Sequence, residues 1–345
     1  MVIIDGAVLM IARVPPAATG VALRGHVVQS SERFPGVAAE LRIGTRGSPL
    51  ALAQARMVRT RLAAEHLVAE ERIELKVIRT TGDVIQDRTL AQAGGKGLFT
   101  KEIEEALLSG AIDLAVHSAK DMPTVLPDGL MIAAVLPRED ARDVFISREA
   151  ATLRDLRAGA VVGTASLRRQ AIVKRLRPDL DVVPIRGNVE TRLRKLDDGV
   201  VAATLLALAG LKRLGLAGAA SSIFSVDEFL PAVGQGIVAI EARADDAATR
   251  ALLDAINHVE TATALTAERA FLAVLDGSCR TPIAGHATIA GGRLRLRGLI
   301  AKPDGSESFE AAREGAISQA AALGADAGRE LKHRAGADFF ASLHA

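Results

Sequence analysis

The chain has 345 residues, enough for two or three domains, and 49% of them are hydrophobic, which is ample for well-formed cores. A formal net charge of only +2 disfavours a general polyanion binder, and without Trp or Tyr the chain lacks the stacking platforms of single-strand nucleic-acid binders. A single cysteine, Cys279, excludes an intramolecular disulfide and a thiolate metal cluster. We therefore expect no nucleic-acid partner and no metal.

The sequence favours a cytoplasmic location. The longest uncharged apolar run, residues 200–211, is too short to cross a bilayer. The apolar start carries Asp5 and lacks a basic leader, so it is a poor signal peptide. We expect no membrane partner, and nothing in the sequence demands more than a monomer. Residues 1–40 show no sustained period and contain Pro15-Pro16, which predicts a disordered extension.

The first globular elements predict a strand–helix–strand–loop–helix–strand order. Residues 41–46 are typical of a strand, and Ser48 is a good N-cap for a helix that has Pro49 at its first position. Arg46 lies in the turn between them, where an anion could meet a guanidinium and free helix amides, although for this residue alone a plain surface arginine is the better interpretation. A strand at 73–78 and a long glycine-containing loop at 80–97 follow, and this order implies parallel crossovers.

The stretch at 111–123 changes abruptly from apolar to polar. Residues 112–116 form the pattern of a strand covered on both faces, and polar residues from His117 to Asp121 follow it before Pro123 ends regular structure. Polar groups at the carboxyl end of a buried strand lie where open α/β sheets bind ligands. An ordinary exit from a strand into a loop would show the same pattern.

A second half repeats this organisation after a charged segment at 137–142, which we interpret as a crossing to a second domain. Strands are predicted at 160–163, 181–185 and 200–207, and Ser166 caps a helix that has Arg168 and Arg169 in its first turn. Arginines there oppose the helix dipole and cost stability unless an acidic group offsets them. Arg186 and Arg192 follow the next strand. These arginines indicate either a solvated charged face or a cleft for carboxylates or phosphates.

The last third returns to the first domain and then forms a third. Glycines in 230–236 precede a strand at 237–241 that can rejoin the first sheet, and helices are predicted at 245–257 and 260–275. Cys279 follows between Ser278 and Arg280, and a neighbouring arginine promotes the thiolate. An inert buried cysteine is the alternative. Strands at 283–290 and 293–299 and a helix at 317–332 predict a small α/β domain.

Seven segments together resemble the porphobilinogen deaminase family, also called hydroxymethylbilane synthase. They occur in order at 42–52, 94–99, 116–123, 163–170, 186–188, 230–236 and 277–283, and read RIGTRGSPLAL, GGKGLF, VHSAKDMP, GTASLRRQ, RGN, LPAVGQG and GSCRTPI. The resemblance runs from about residue 41 to the C-terminus. Gln92 departs from it, because the family often has a lysine there.

The resemblance implies a fold and a reaction. It implies three α/β domains, the first two like periplasmic binding proteins with a cleft between them and the third small. We place them at 41–136 plus 237–256, at 140–231 and at 258–345. It also implies that four porphobilinogen units are joined head to tail with release of ammonia, after which hydrolysis frees hydroxymethylbilane for porphyrin and haem biosynthesis.

The resemblance also assigns roles to residues of this chain. It implies that Cys279 carries a dipyrromethane cofactor through a thioether. Asp121 corresponds to the catalytic aspartate. The implied contacts to cofactor and substrate are Ser48, Lys96, Ser118, Ser166, Arg168 and Arg169 for the cofactor, and Arg46, Arg186, Asn188 and Arg192 for the substrate.

The chemistry of the substrate agrees with these residue types. Porphobilinogen carries an acetate and a propionate, which guanidinium groups bind well. Losing ammonia leaves a cationic pyrrole, whose N–H groups a single carboxylate at Asp121 can stabilise. The competing hypothesis is a two-domain binding protein or sensor for a small carboxylated ligand, which would share the arginines but would have no use for an exposed Cys279.

Overall fold

The computed structural model describes residues 2–4, 7–9, 41–84, 99–275 and 281–343. Its strands in chain order are β1 Val2–Ile4, β2 Ala7–Leu9, β3 Leu41–Thr45, β4 Ile73–Val77, β5 Leu114–Ser118, β6 Leu130–Val135, β7 Asp143–Ser147, β8 Val161–Gly163, β9 Asp181–Val183, β10 Ala203–Ala207, β11 Ser222–Ile223, β12 Val238–Arg243, β13 Ile283–Ala290, β14 Arg293–Ala301 and β15 Ser308–Ala316. Its helices are α1 Pro49–Glu65, α2 Thr81–Val84, α3 Lys101–Leu108, α4 Leu167–Leu176, α5 Val189–Asp197, α6 Leu208–Arg213, α7 Ala247–Asp254, α8 Val259–Val274 and α9 Ala320–Ser342.

Three sheets define three α/β domains. The first sheet has the order β4-β3-β5-β12-β6, the second β11-β7-β10-β8-β9, and the third β13-β14-β15. Strand β12 therefore returns to the first sheet after the whole second domain, as the glycine-rich segment before it predicted. Within residues 1–40, where a disordered extension was predicted, the structure describes only the antiparallel pair β1–β2, and the rest lies outside the described residues.

The two large sheets are mixed. Strand β5 runs parallel to β3 on one side, as the crossover pattern predicted, but antiparallel to β12 on the other. In the second sheet, β10 runs parallel to β8 and antiparallel to β7. The sequence analysis assigned no strand between residues 137 and 159, so it missed β7, which is buried along its whole length.

Each domain has its own apolar core. The first packs the β3–β5–β12 face against α1 and α7, with Ile43, Leu62 and Leu253 fully buried. The second covers both faces of its sheet with separate clusters, and the third packs α8 and α9 on its sheet around Phe271. These cores use aliphatic residues almost throughout, as the composition required. None of the described helices is both long and apolar enough to span a membrane.

Two crossing segments join the first and second domains. Gly236 has a φ of +88°, and a β-carbon there would collide with the carbonyl oxygen of Glu139 on the other segment. Arg213 Nη2 donates to the carbonyl oxygen of Gly236 at 2.7 Å. Glycine is thus required at 236 because the two segments approach closely and the backbone is left-handed.

The third domain contacts both others. Arg138, at the first crossing, donates from Nη1 to Oε1 of Glu268 on α8 at 2.5 Å, and the Glu268 side chain is fully buried. On the other side, Arg175 of α4 pairs with Glu310 of β15 at 2.7 Å, and Ala171 and Leu230 share a small apolar cluster with Leu299 and others of the third sheet. The third domain therefore contacts both the crossing segment and the second domain.

Candidate active site

The first domain contributes a polar pocket at the end of β5. The chain leaves β5 in one turn of 3₁₀ helix at 119–121, which places the exposed Asp121 beside the strand end. A pocket of about 60 Å³ is lined by Arg46, Ser48, Ser118 and Asp121, among others. The structure therefore brings together four of the predicted site residues. We call these four the domain 1 wall.

The domain 1 wall is held by neighbours that sequence analysis did not identify. Gln54, only 2% exposed on α1, donates from Nε2 to Ser118 Oγ at 2.9 Å. The Arg46 guanidinium carbon lies 4.1 Å from the centre of the Phe99 ring, which orients a side chain that the turn alone would leave free. Ser48 caps α1 as predicted, accepting from the Ala51 amide at 3.3 Å.

The second domain contributes buried arginines. Arg168 and Arg169 at the start of α4 are each 5% exposed, and both pair with Asp143, at 2.8 and 2.7 Å. Asp143 is fully buried on β7. The Arg168 and Arg169 guanidiniums oppose the desolvation of Asp143 and hold the pKa of its carboxyl below the usual range. Asp143 is thus the acidic group that two arginines at a helix N-terminus require.

Two predicted contacts have a structural role in capping. Ser166 accepts from the Arg169 amide at 3.4 Å, and Asn188 accepts from the Thr191 amide at 2.8 Å. Because each uses an oxygen for the cap, the Ser166 hydroxyl hydrogen and the Asn188 amide NH₂ are what these side chains can donate to an anion.

Arg192 lies close to Arg169 and Arg186. Arg192 donates from Nε to the carbonyl oxygen of Gly187 at 2.9 Å. Burial, together with the charges of Arg169 and Arg186, lowers the pKa of Arg192 to about 10, and the carboxylate of Asp121 opposes this shift. The charges of Asp121 in the first domain and of Arg169 in the second domain therefore both act on Arg192. We call Arg168, Arg169, Arg186 and Arg192 the domain 2 wall.

Lys120 sits between the two walls. Its Nζ donates to Gln235 Oε1 at 3.2 Å, on the second crossing segment. Although the side chain as a whole is exposed, protein atoms crowd its ammonium group, and this desolvation together with Arg169 lowers the pKa of Lys120 to about 8 against the attraction of Asp121. The predicted motif contained Lys120, but only this proximity to both walls marks it as a site residue.

Two predicted site residues are not described. Lys96 and Cys279 lie outside the described residues, as does Gln92. Sequence analysis did not identify Gln54, Lys120 or Asp143 as site residues. Of these three, only Lys120 could have been found from the sequence, because it lies inside the 116–123 motif. Asp143 stood at the edge of a charged segment that resembled a linker, and Gln54 was one polar residue within a helix.

The arrangement defines a class of protein. Several cations line the space between two α/β domains, and near them the described residues place few carboxylates, chiefly Asp121 and Asp143. Such a site suits a ligand with several carboxylates and a face rich in N–H groups. The class is therefore a multidomain α/β protein whose first two domains present cations suited to a polycarboxylate.

Comparison with known proteins specifies the family. The chain matches the family model "Porphobilinogen deaminase, dipyromethane cofactor binding domain" over residues 41–251 and "Porphobilinogen deaminase, C-terminal domain" over 262–333. It is 66% identical to a porphobilinogen deaminase of Nitrobacter hamburgensis over 86% of this chain and 94% of that one. For the enzyme of Paracoccus denitrificans the identity is 57%, over 87% and 96%. The chain belongs to the porphobilinogen deaminase family.

Among solved structures, the methionine-binding protein MetQ is similar at 14% identity and a TM-score of 0.41, covering 69% of this chain and 96% of that one.

The described residues fit the dipyrromethane of this family. Each of its two rings carries an acetate and a propionate, so four carboxylates must be neutralised. Arg168 and Arg169 offer guanidinium groups, and Ser48, Ser118 and Ser166 offer hydroxyl donors. The donor set therefore supplies guanidinium and hydroxyl donors of the kind that the cofactor's carboxylates require.

Proposed function

We propose that this chain is a porphobilinogen deaminase that joins four porphobilinogen units head to tail, releases ammonia at each step and finally frees hydroxymethylbilane. The observation that carries the proposal is one exposed carboxylate, Asp121, whose charge acts on Arg192 in the group of arginines on the opposite domain. Family membership supplies the substrate. The geometry supplies the division of roles.

Cations of both walls bind the carboxylates of the substrate and of the cofactor. We assign the acetate and propionate of the incoming unit to Arg186, Arg192 and Arg46, with Asn188 as an amide donor. Arg168 and Arg169, with Ser48, Lys96, Ser118 and Ser166, hold the cofactor's carboxylates. Charge-assisted hydrogen bonds of this kind are roughly twice as strong as neutral ones.

Asp121 stabilises the pyrrole that reacts. Each condensation breaks the C–N bond of the aminomethyl group, releases ammonia and leaves a cation delocalised onto the pyrrole nitrogen. Asp121 accepts a hydrogen bond from that N–H and stabilises the positive charge as it develops. A carboxylate on a rigid strand end reorganises little during the reaction, which is the source of its catalytic effect.

The covalent cofactor explains why products do not leave early. When bound through Cys279, the dipyrromethane supplies the primer from which the chain grows. For the protein this means that each extension is intramolecular, which offsets the entropy cost of bringing two molecules together. Only the final hydrolysis releases product.

We also propose the finer assignments that the resemblance implies. They are domain boundaries at 41–136 plus 237–256, 140–231 and 258–345, a cytoplasmic location and a monomer. The grouping of the three sheets supports the boundaries. Sedimentation velocity at micromolar concentration tests the monomer, and a stable dimer would contradict it.

The experiment that tests the function is intact mass spectrometry with an ammonia assay. Purified protein should carry the mass of two linked pyrrole units on the peptide that contains Cys279, and Cys279→Ala should show the bare polypeptide. Porphobilinogen should be consumed with ammonia release. Bare mass in the wild type, with ligand binding but no ammonia, would instead support the carboxylate sensor.

A further inference from the structure

Helix α8 contacts the loop that follows Asp121. Arg269 of α8 donates from Nη2 to the carbonyl oxygens of Pro123 and Thr124, both at 2.9 Å. These carbonyls lie two and three residues after Asp121. One guanidinium nitrogen therefore fixes two consecutive peptide groups of the loop.

Apolar contacts follow the same stripe of α8. Ala262 and Leu265 belong to one cluster with Met122 and Leu126 of the loop. Positions 262, 265 and 269 are spaced i, i+3, i+7, which places them on one face of a helix. The loop after Asp121 is thus held by α8 through two apolar contacts and one arginine.

A buried carboxylate balances this arginine. Desolvation lowers the pKa of Arg269, and the charge of Glu241 opposes the shift. Glu241 is fully buried on β12, and its Oε2 lies 3.1 Å from His117 Nε2 on β5. Glu241 is thus next to His117, and its charge also acts on Arg269.

Helix α8 also leads directly into the segment of the chain that contains Cys279, the predicted attachment point of the cofactor. The helix ends at Val274, with Leu275 as its C-cap, and Cys279 is four residues further along the chain. From Arg269 to Val274 the helix rises about 7.5 Å. The five further residues from Val274 to Cys279 reach at most about 18 Å. The helix that holds the Asp121 loop is therefore the one from which the tether starts.

We propose that Arg269 is a positioning residue: it locks the loop after Asp121 to the helix that carries the cofactor cysteine, and so sets the carboxylate relative to the tethered chain. The inference rests on the proposed function. A purely structural link between the same domains already exists next to it, because buried Glu268 accepts from Arg138 and from the amides of Gly234 and Ala287. Removing Arg269 therefore leaves the docking of α8 in place.

The test compares Arg269→Gln and Arg269→Lys with Arg243→Gln. Arg243 also donates to two carbonyl oxygens, of Leu107 and Ile112, both at 2.8 Å, but within the first domain and away from the pocket. Each holoenzyme is measured by hydrogen exchange of the peptide spanning 119–126, by intact mass, and by kcat and KM for porphobilinogen.

We expect Arg269→Gln to keep the two-pyrrole adduct and to exchange at least tenfold faster in 119–126. Its kcat should fall at least tenfold with KM within about threefold, and Arg269→Lys should recover part of both. Arg243→Gln should lower the melting temperature without changing kcat or exchange at 119–126.

Unchanged exchange at 119–126 in Arg269→Gln would overturn the proposal, as would a loss of kcat no larger than in Arg243→Gln. If Arg269→Gln fails to fold, the same exchange and kcat criteria are applied to Arg269→Lys. The exchange measurement needs no turnover, so a wild type without adduct or ammonia release would refute the function while still deciding whether Arg269 holds the loop.

Discussion

The two walls of the cleft are built differently. The domain 1 wall is small and polar, with one exposed carboxylate on a turn at a strand end. The domain 2 wall is cationic, and two of its arginines are buried against Asp143. The difference shows how one site handles a substrate that is anionic at its periphery and becomes cationic at its reacting centre.

The largest effect should come from removing the buried support of the domain 2 wall. Asp143→Asn leaves two buried guanidiniums without their shared counter-ion, and breaking a buried pair in this way costs about 3–5 kcal/mol of stability. Urea unfolding measures it. The matched control is Asp179→Asn, which removes an exposed carboxylate paired with Arg177 and should cost much less stability. Equal losses in the two variants would show that Asp143 is not the support.

Asp121→Asn should act on rate and spare stability. Because the carboxylate is exposed and its function is to stabilise developing charge, we expect kcat to fall by about 10²–10³. The melting temperature should stay within two or three degrees, which differential scanning calorimetry on the same preparation checks. Asp128→Asn, an exposed carboxylate in the same loop region, serves as the control. A stability loss with normal turnover would make Asp121 structural.

Arg186→Leu should act on KM. Losing one charge-assisted contact to a substrate carboxylate costs about 1.5–3 kcal/mol, or about 10- to 150-fold in KM, with kcat little changed at saturation. Steady-state kinetics over a wide substrate range measures both constants. Arg194→Leu removes an exposed arginine from α5 and should leave both unchanged. A normal KM in Arg186→Leu would show that Arg186 does not bind the substrate.

The smallest effect should be a pH dependence from Lys120. With a pKa of about 8, Lys120 carries its charge below pH 8 and loses it as the pH rises through that value. Its attraction for substrate carboxylates is lost with it, so KM should rise several-fold between pH 7 and 9. Lys120→Arg stays charged and should flatten the profile. An identical rise in both proteins would exclude Lys120 as the cause.

The sequence placed the walls but not their supports. The motif at 116–123 located Asp121 and Ser118, and the arginines at strand ends located the opposite wall, because both signals are local along the chain. Asp143 lies 25 residues before Arg168 and stood beside a charged segment, so only the antiparallel pairing of β7 with β10 shows it beneath the arginines. The hydrogen bond from Arg269 to the carbonyl oxygen of Pro123 joins residues 146 positions apart in the chain. It depends on how α8 docks, which no local sequence pattern encodes.

The most direct test of the division between the walls is intact mass spectrometry of Asp121→Asn and Arg186→Leu, each quenched during turnover at saturating porphobilinogen. Saturation compensates for weak binding but cannot restore lost stabilisation of charge. We expect Arg186→Leu to show the cofactor mass extended by one or more pyrrole units and Asp121→Asn to remain largely at the unextended cofactor mass. Efficient extension in Asp121→Asn with none in Arg186→Leu would contradict the account.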